Sequence, residues 1–177
     1  MLFLLFADFN RKLMLLSIFG FLFSCSSSEA QVKNPAYRAM LSGLYKNTVP
    51  LLSVQEASVQ TTPEYVFLDA RETEEYNISH IKNAHWVGYN DFSPTRLSGI
   101  SLDTPIVVYC SVGYRSERIG EQLLAQGYQQ VYNLYGGLFE WVNQKKPVVD
   151  NSNQPTDKIH AYSKAWGIWI SNGQKVY

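Results

Sequence analysis

The sequence predicts an α/β domain with a central parallel sheet and helices on both faces. Short apolar runs alternate along the chain with segments whose apolar residues recur at helical spacing. The apolar runs are continuous, as in PIVVYC (105–110), instead of alternating with polar residues. Strands buried on both faces have this pattern, and helical connections make neighbouring strands parallel. A chain of 177 residues is also long enough to bury a full core without metals or disulfides.

The predicted elements begin with a helix at Pro35 and a short strand, VPLLS (49–53). Ser53 followed by Glu56 is a capping-box pattern, which predicts a short helix over Val54–Val59. The later elements follow in chain order: strand EYVFLDA (64–70), helix RETEEYNIS (71–79), strand NAHWVGY (83–89), a turn-rich connector (91–100), strand PIVVYC (105–110), helix SERIGEQLLAQGY (116–128), strand QVYNLY (130–135), a Gly-Gly turn and helix LFEWVNQK (138–145).

The charge of the chain is balanced, with 15 Lys and Arg residues against 15 Asp and Glu residues. No block of Lys and Arg residues is present that could follow a phosphate backbone. We therefore expect no nucleic-acid partner.

The N-terminal segment resembles a bacterial lipoprotein signal. Arg11 and Lys12 precede the apolar run LMLLSIFGFLF (13–23), which is short for a bilayer span, and LFSC (22–25) ends at a cysteine. The resemblance implies a signal peptide over 1–25, a lipid on Cys25, a polar tether over 26–34, and a chain held at a membrane of the cell envelope, facing the periplasm or exterior. An ordinary secretory signal or a single-span anchor, with Cys25 incidental, is the alternative.

The chain has two cysteines. If Cys25 is used in export, Cys110 is the single thiol of the mature domain. A disulfide framework is then excluded. A structural zinc site is excluded as well, because the three histidines are scattered. We expect no metal and no other cofactor.

Cys110 ends the most apolar predicted strand, and a turn containing Gly113 leads from it into a helix with Arg115 near its start. Unpaired backbone N–H groups and the dipole of a helix N-terminus favour negative charge. Arg115 adds a permanent cation. These features favour a nucleophilic thiolate at Cys110. A buried structural cysteine is the alternative.

Three segments resemble the rhodanese-like sulfurtransferases. CSVGYRS (110–116) is similar to the family's active-site loop, VFLDARETEEYNISHIKNAHWV (66–87) to its strand–Asp–x–Arg–Glu segment, and GYQQVYNLYGGLFEWVNQKKPVV (127–149) to its closing strand, turn and helix. Ser79 and Asn83 depart from the family pattern, which usually has Gly at both positions. The resemblance implies a rhodanese-like domain over 35–150.

The resemblance also implies a mechanism. Cys110 would take a sulfane sulfur from a donor such as thiosulfate or a persulfide and pass it to a thiol or cyanide. The persulfide would be held by the loop residues Ser111, Val112, Gly113, Tyr114, Arg115 and Ser116. Arg115 would orient an anionic donor, fix the loop or pair with a carboxylate. Supporting roles fall to Asp69, expected to hydrogen-bond the loop region, and to Arg71 and Glu72, expected to brace the rim of the site.

Two other functions remain as alternatives. Protein tyrosine phosphatases hold phosphate in a longer loop with five residues between Cys and Arg, whereas four separate Cys110 from Arg115. A phosphatase or arsenate reductase is therefore disfavoured. The other alternative is a binding module that keeps the fold without catalysis.

Residues 151–177 form a C-terminal aromatic extension outside the segments that resemble the family. Ile159, Tyr162, Trp166, Trp169 and Val176 give it enough apolar surface to dock. We expect it to pack as a clasp against the chain's own domain. A patch for a partner, or a wall of the active-site mouth, is the alternative.

Overall fold

The computed structural model describes residues 32–59 and 64–177. The predicted signal peptide with Cys25, and the part of the predicted tether before residue 32, lie outside the described residues.

A five-stranded parallel sheet forms the centre of the fold. Its strands are β1 (Leu51–Leu52), β2 (Val66–Asp69), β3 (His85–Trp86), β4 (Ile106–Tyr109) and β5 (Val131–Leu134). Their spatial order is β1-β5-β4-β2-β3, and every neighbouring pair is parallel. The predicted fold class is confirmed. The carboxyl ends of β2 and β4 are neighbours, so Asp69 and Cys110 emerge at the same edge of the sheet.

In the described part of the domain, the α-helices are α1 (Pro35–Leu44), α2 (Val54–Ala57), α3 (Thr73–Ile78), α4 (Tyr114–Ala125) and α5 (Gly137–Asn143), and a 3-10 helix spans Pro94–Leu97. The capping box of Ser53 and Glu56 is present, although α2 ends at Ala57 and not at Val59. Helix α4 begins at Tyr114, two residues earlier than predicted, because Gly113 at φ 103° turns the chain into the helix immediately after the loop.

Two apolar cores lie on opposite faces of the sheet, because alternate residues of β4 point to opposite sides. Ile106 and Val108 pack with Ile119 and Leu123 of α4. Val107 and Tyr109 face the other core, which takes side chains from α1, α2 and α5. Helices therefore cover both faces, as predicted.

The two departures from the family's glycine pattern have simple local explanations. Asn83 has φ 64°, a conformation that Asn tolerates better than most residues. Ser79 has φ −168°, which is extended backbone open to any residue. Neither substitution strains the chain.

The C-terminal extension packs against the domain. After β6 (Val148–Val149), it forms β7 (Pro155–Thr156), β8 (Lys158–His160), α6 (Lys164–Gly167) and β9 (Gln174–Val176). Strand β7 pairs with β6, and β8 pairs with β9. Trp169 stacks on Tyr37 of α1, with ring centroids 5.2 Å apart, and Ile159, Ala161 and Ile170 are buried in the core that contains α1. The extension thus packs as expected of a clasp.

Among the helices in the two described ranges, none has the length and apolar character needed to cross a membrane.

Candidate active site

Cys110 lies immediately after β4, where the chain turns into α4. Its side chain is buried, and its Sγ accepts a hydrogen bond from the backbone N–H of Gly113 at 3.1 Å. The Ser116 Oγ lies 3.6 Å from the same sulfur. Because the first N–H groups of a helix have no acceptor within it, the start of α4 presents donors and a positive dipole end beside the sulfur. These donors are placed to hydrogen-bond a negatively charged group bound at Cys110.

Two buried side chains hold the backbone of the loop. The Tyr45 hydroxyl donates to the Val112 carbonyl at 2.5 Å and accepts from the Gly136 N–H at 3.0 Å. The Asn133 amide donates to the Gly113 carbonyl at 3.0 Å and accepts from the Ser116 hydroxyl at 2.7 Å. The loop is therefore fixed on both sides of Gly113. A side chain at Gly113 would also collide with the Tyr45 ring.

The turn at Gly136 and Gly137 brings the start of α5 against the backbone of the loop. The backbone N–H of Leu138 donates to the Cys110 carbonyl at 2.8 Å, and that of Phe139 donates to the Ser111 carbonyl at 3.0 Å. A Cβ at Gly137, which has φ 57°, would overlap the backbone of Cys110 and Ser111. The start of α5 can approach the loop this closely only with glycine at position 137.

Arg115 pairs with Glu75 of α3. Its guanidinium donates to the two carboxylate oxygens at 2.6 and 2.8 Å, and the Ser111 hydroxyl donates to the same carboxylate at 2.8 Å. Burial opposes the charge of Arg115, but the hydrogen bond to Glu75 and the interaction with the Cys110 sulfur outweigh burial and raise the pKa of Arg115. Three roles were predicted for Arg115, and the structure shows one of them: its guanidinium pairs with the carboxylate of Glu75.

Burial by itself raises the pKa of the Glu75 carboxyl. The hydrogen bond and charge of Arg115, the charge of Arg71 and the Ser111 hydroxyl act in the opposite direction and lower that pKa from 4.5 to about 2. Glu75 is therefore ionised at neutral pH, and the charge of Arg115 is already matched before any ligand arrives.

The predicted roles of Asp69 and Arg71 need correction. The Asp69 carboxylate pairs with Arg71 at 2.6 Å, with both side chains fully buried, instead of hydrogen-bonding the Cys110 loop. Arg71 also donates to the carbonyls of Glu75 and Ser79, so it fixes the C-terminal half of α3 from inside the protein and does not brace the rim. A buried cation needs acceptors, and these interior groups accept four of the five N–H donors of the Arg71 guanidinium.

A pocket of about 420 Å³ opens above Cys110. Glu72 is among the residues that line it and accepts a hydrogen bond from Asn90 at 2.9 Å. The lining residues come from the loop, the connectors after β2 and β3, α1 and the C-terminal extension: Leu44, Glu72, Tyr89, Asn90, Cys110, Ser111, Val112, Tyr114, Arg115, Tyr162 and Trp166. Within 32–59 and 64–177, no cluster of three or more His, Cys, Asp or Glu side chains could hold a metal ion.

Sequence reasoning missed Glu75, Tyr45 and Asn133. Glu75 is one of three acidic residues in RETEEYNIS, and only the phase of α3 tells which of them is buried. Tyr45 and Asn133 are distant from Cys110 along the chain, and no local pattern marks either of them. The parallel pairing of β5 with β4, seen in the structure, is what brings Asn133 beside the loop.

The comparisons with known proteins agree with this geometry. Residues 54–144, about half of the chain, match the model of the Rhodanese-like domain. A tRNA uridine(34) hydroxylase from Pectobacterium carotovorum is 33% identical over 89 residues, which are 48% of this chain and 25% of that protein. A hydroxylase of the same name from Hamiltonella defensa is 32% identical over 89 residues and has the same coverage. The chain therefore spans about a quarter of the length of these relatives.

Solved structures show the same fold. The Rhodanese-like domain of an Anabaena sp. protein superimposes with a TM-score of 0.52 at 22% identity, covering 57% of this chain and 79% of that one. The Polysulfide-sulfur Transferase homodimer from Wolinella succinogenes gives a TM-score of 0.52 at 25% identity, covering 67% of this chain and 90% of that one. The fold, the Cys110 loop and the match over residues 54–144 lead to one conclusion: this chain belongs to the rhodanese-like domain family.

Proposed function

We propose that this chain is a sulfurtransferase that carries a sulfane sulfur as a persulfide on Cys110. The observation that carries the proposal is the position of Cys110 Sγ, which lies at a pocket and accepts the Gly113 N–H at the start of α4. An outer sulfur added to Cys110 would be anionic, and the donors at the helix start would stabilise it. Membership of the rhodanese-like family supports sulfur transfer or a related activity.

In the first half-reaction, the Cys110 thiolate attacks the terminal sulfur of a donor such as a polysulfide or thiosulfate. A sulfur–sulfur bond forms at Cys110, and the donor's own bond to that sulfur breaks. The electron pair of the broken bond leaves with the shortened polysulfide or with sulfite. The charge is conserved, and no external oxidant or reductant is needed.

In the second half-reaction, a thiolate or cyanide attacks the outer sulfur of the persulfide. The new bond forms at that sulfur, the bond to Cys110 breaks, and the thiolate of Cys110 is restored. Asn133 and Tyr45 hold the loop carbonyls throughout, so the N–H groups keep facing the sulfur while its charge moves. The likeness to the Wolinella succinogenes protein, whose name specifies polysulfide-sulfur transfer, supports this class of reaction.

The other candidate functions have weaker support. Phosphate transfer needs free cationic donors around the phosphate, and the guanidinium of Arg115 is already paired with Glu75. The hydroxylation in the names of the curated relatives belongs to proteins about four times as long as the matched segment. Balanced charge gives no independent reason to propose tRNA as a partner here.

We also propose that the domain is exported and tethered to a membrane of the cell envelope through a lipid on Cys25. The proposal rests on the basic pair, the apolar run and the cysteine of residues 11–25. Metabolic labelling with a fatty-acid probe should mark the wild-type chain in a bacterial host, and Cys25→Ala should abolish labelling. Labelling that survives in Cys25→Ala would contradict the lipid assignment.

Steady-state transfer from polysulfide to cyanide, followed as thiocyanate, tests the sulfurtransferase function. We expect double-displacement kinetics, seen as parallel lines in double-reciprocal plots, and a loss of about 1000-fold or more in Cys110→Ser. Hydrolysis of p-nitrophenyl phosphate serves as the control reaction and should not exceed background. Thiocyanate formation that is unaffected in Cys110→Ser, or phosphatase activity without sulfur transfer, would contradict the proposal.

A further inference from the structure

The walls of the pocket above Cys110 are mainly aromatic and aliphatic. Leu44 from α1 and Tyr162 and Trp166 from the C-terminal extension lie outside the residues that match the rhodanese-like domain. The remaining apolar wall comes from Val112, Tyr89 and Tyr114. Pockets of about 420 Å³ with this lining are the usual size and chemistry for a small organic ligand. An ion as small as thiosulfate or cyanide fills a minor part of that volume.

The charges of the pocket-lining residues also disfavour an anionic ligand. Arg115, the one cation among the lining residues, gives both arms of its guanidinium to Glu75, and the Tyr162 ring covers it at 5.5 Å. Glu72 contributes a carboxylate to the rim. A ligand with negative charge beyond the reacting sulfur therefore meets no unpaired cation in the lining. It meets one carboxylate instead.

Tyr162 is held in a conformation that bulky residues rarely adopt, with φ 63°. Hydrogen bonds on both sides hold it there: its N–H donates to His160 Nδ1 at 3.2 Å, and the Ser163 N–H donates to the Ala161 carbonyl at 2.7 Å. Strain of this kind persists where the surrounding structure overrides it, and such positions cluster at ligand sites. Here it places an aromatic ring over Arg115 at the mouth of the pocket.

The segment that carries Tyr162 and Trp166 is anchored firmly enough to act as a wall. The Trp169 ring stacks on Tyr37, and the Asn143 amide donates to the Trp169 carbonyl at 2.8 Å. The Ser171 N–H donates back to Asn143 at 2.7 Å. The extension is therefore tied to α1 and to α5, and the start of α5 also supports the Cys110 loop.

We infer that the C-terminal extension makes the site selective for an apolar organic thiol as sulfur acceptor; this rests on the proposed sulfur-transfer function. The thiolate sulfur of the acceptor attacks the outer sulfur of the Cys110 persulfide, forming an organic persulfide and releasing the Cys110 thiolate. The apolar body of the acceptor packs between Tyr162, Trp166 and Leu44. Selectivity comes from the apolar area that the acceptor buries.

The test compares two acceptor thiols of similar acidity, benzyl mercaptan and 2-mercaptoethanol, after loading Cys110 with inorganic polysulfide. We expect kcat/KM for benzyl mercaptan to exceed that for 2-mercaptoethanol by about tenfold or more, the range in which apolar pockets discriminate. In the double variant Tyr162→Asn, Trp166→Ala, the ratio should fall towards one. Asn is chosen because it tolerates positive φ. Circular dichroism and thermal unfolding check that the variant is folded.

Ile168→Ala is the matched control, because Ile168 lies in the same extension, is 65% exposed and does not line the pocket. It should leave the acceptor ratio unchanged. Equal kcat/KM for the two thiols in the wild type, or an unchanged ratio in the double variant, would overturn the inference.

A second measurement separates this inference from the proposed function. The unreactive analogue benzyl methyl sulfide is titrated into Cys110→Ser protein, and the indole N–H signal of Trp166 is followed by NMR, with Trp166→Phe assigning the signal. A saturable shift supports an apolar ligand site, and its absence overturns one. If polysulfide fails to load Cys110 while the analogue still binds, sulfur transfer is contradicted and the ligand chemistry of the pocket stands.

Discussion

The Cys110 loop and the pocket wall formed by Tyr162 and Trp166 are built in different ways. The loop is buried and held by hydrogen bonds to its backbone from Tyr45, Asn133 and the start of α5. The wall consists of partly exposed rings carried on a segment outside the family match. A loop whose backbone is held by hydrogen bonds suits chemistry that tolerates little displacement, whereas partly exposed rings on an added segment can change without disturbing that chemistry. The predictions below separate the two regions.

The largest effect on stability is expected from Gly137→Ala. The new Cβ would meet the backbone of Cys110 and Ser111, and Ala would also have to adopt φ 57°. We expect a loss of about 4 kcal/mol in the free energy of unfolding, measured by urea denaturation. Gly99→Ala is the matched control, since Gly99 has φ 88° but open space around its Cβ position. It should cost about 1 kcal/mol. Similar losses in both variants would show that close packing under the loop contributes little.

Acid should weaken the support of the loop through Glu75. Its pKa is lowered from 4.5 to about 2, so its contribution to stability is complete above about pH 4.5 and is lost as the pH falls towards 2. Between about pH 6 and pH 2, the wild type should lose about 3 kcal/mol more than Glu75→Gln, measured as the free energy of unfolding. Asp91→Asn, which breaks the exposed pair with Arg96, is the control and should not flatten the profile in this way. Parallel profiles for wild type and Glu75→Gln would contradict the burial and pairing of Glu75.

Tyr45→Phe should lower kcat as well as the free energy of unfolding. It leaves the Val112 carbonyl and the Gly136 N–H without their partner, which should cost about 2 kcal/mol of stability. We expect kcat for polysulfide-to-cyanide transfer to fall by about tenfold as well, because the loop donors lose their alignment. Tyr37→Phe removes a buried hydroxyl that bonds the Gly136 carbonyl at 2.8 Å and does not touch the loop. It should cost about 1 kcal/mol and leave kcat unchanged. Equal kcat values in the two variants would argue against a positioning role for Tyr45.

The smallest effect is expected at the rim. Glu72→Gln removes the carboxylate among the pocket-lining residues and keeps the length of the side chain and an acceptor for Asn90. The kcat/KM for thiosulfate, a dianion, should rise by about threefold, while that for an uncharged trisulfide donor should stay constant. The gain should shrink at high salt. An equal change for both donors would mean that Glu72 acts through shape and not through charge.

Much of the fold could be predicted because local sequence patterns indicate its strands, helix caps and turns. The continuous apolar runs predicted the parallel strands, Ser53 with Glu56 predicted the cap of α2, and the position of Cys110 after its strand predicted the turn into α4. Side-chain partners from distant elements could not be predicted in this way. Asp69 and Arg71 were placed near the loop by resemblance, yet the two charges neutralise each other in the interior, where an unpaired charge is too costly.

The C-terminal extension is a second region whose partners could not be predicted from local patterns. Its aromatic residues predicted docking as a clasp against the domain, with a partner patch or a wall of the active-site mouth as the alternative. The structure shows that Trp169 packs on α1 while Tyr162 and Trp166 line the pocket. Packing on α1 and lining the pocket both depend on where α1 and the Cys110 loop lie, and these two regions come close to the extension only in the folded chain.

The most direct test of persulfide chemistry at Cys110 is the intact mass of the chain after treatment with polysulfide and removal of excess donor. We predict a gain of one sulfur atom on the wild type, located at Cys110 by peptide mapping and lost after addition of an acceptor thiol. Cys110→Ser should gain none. A wild-type chain that gains no sulfur from any sulfane donor, or a gain that persists in Cys110→Ser, would contradict the account and favour a binding module on the same fold.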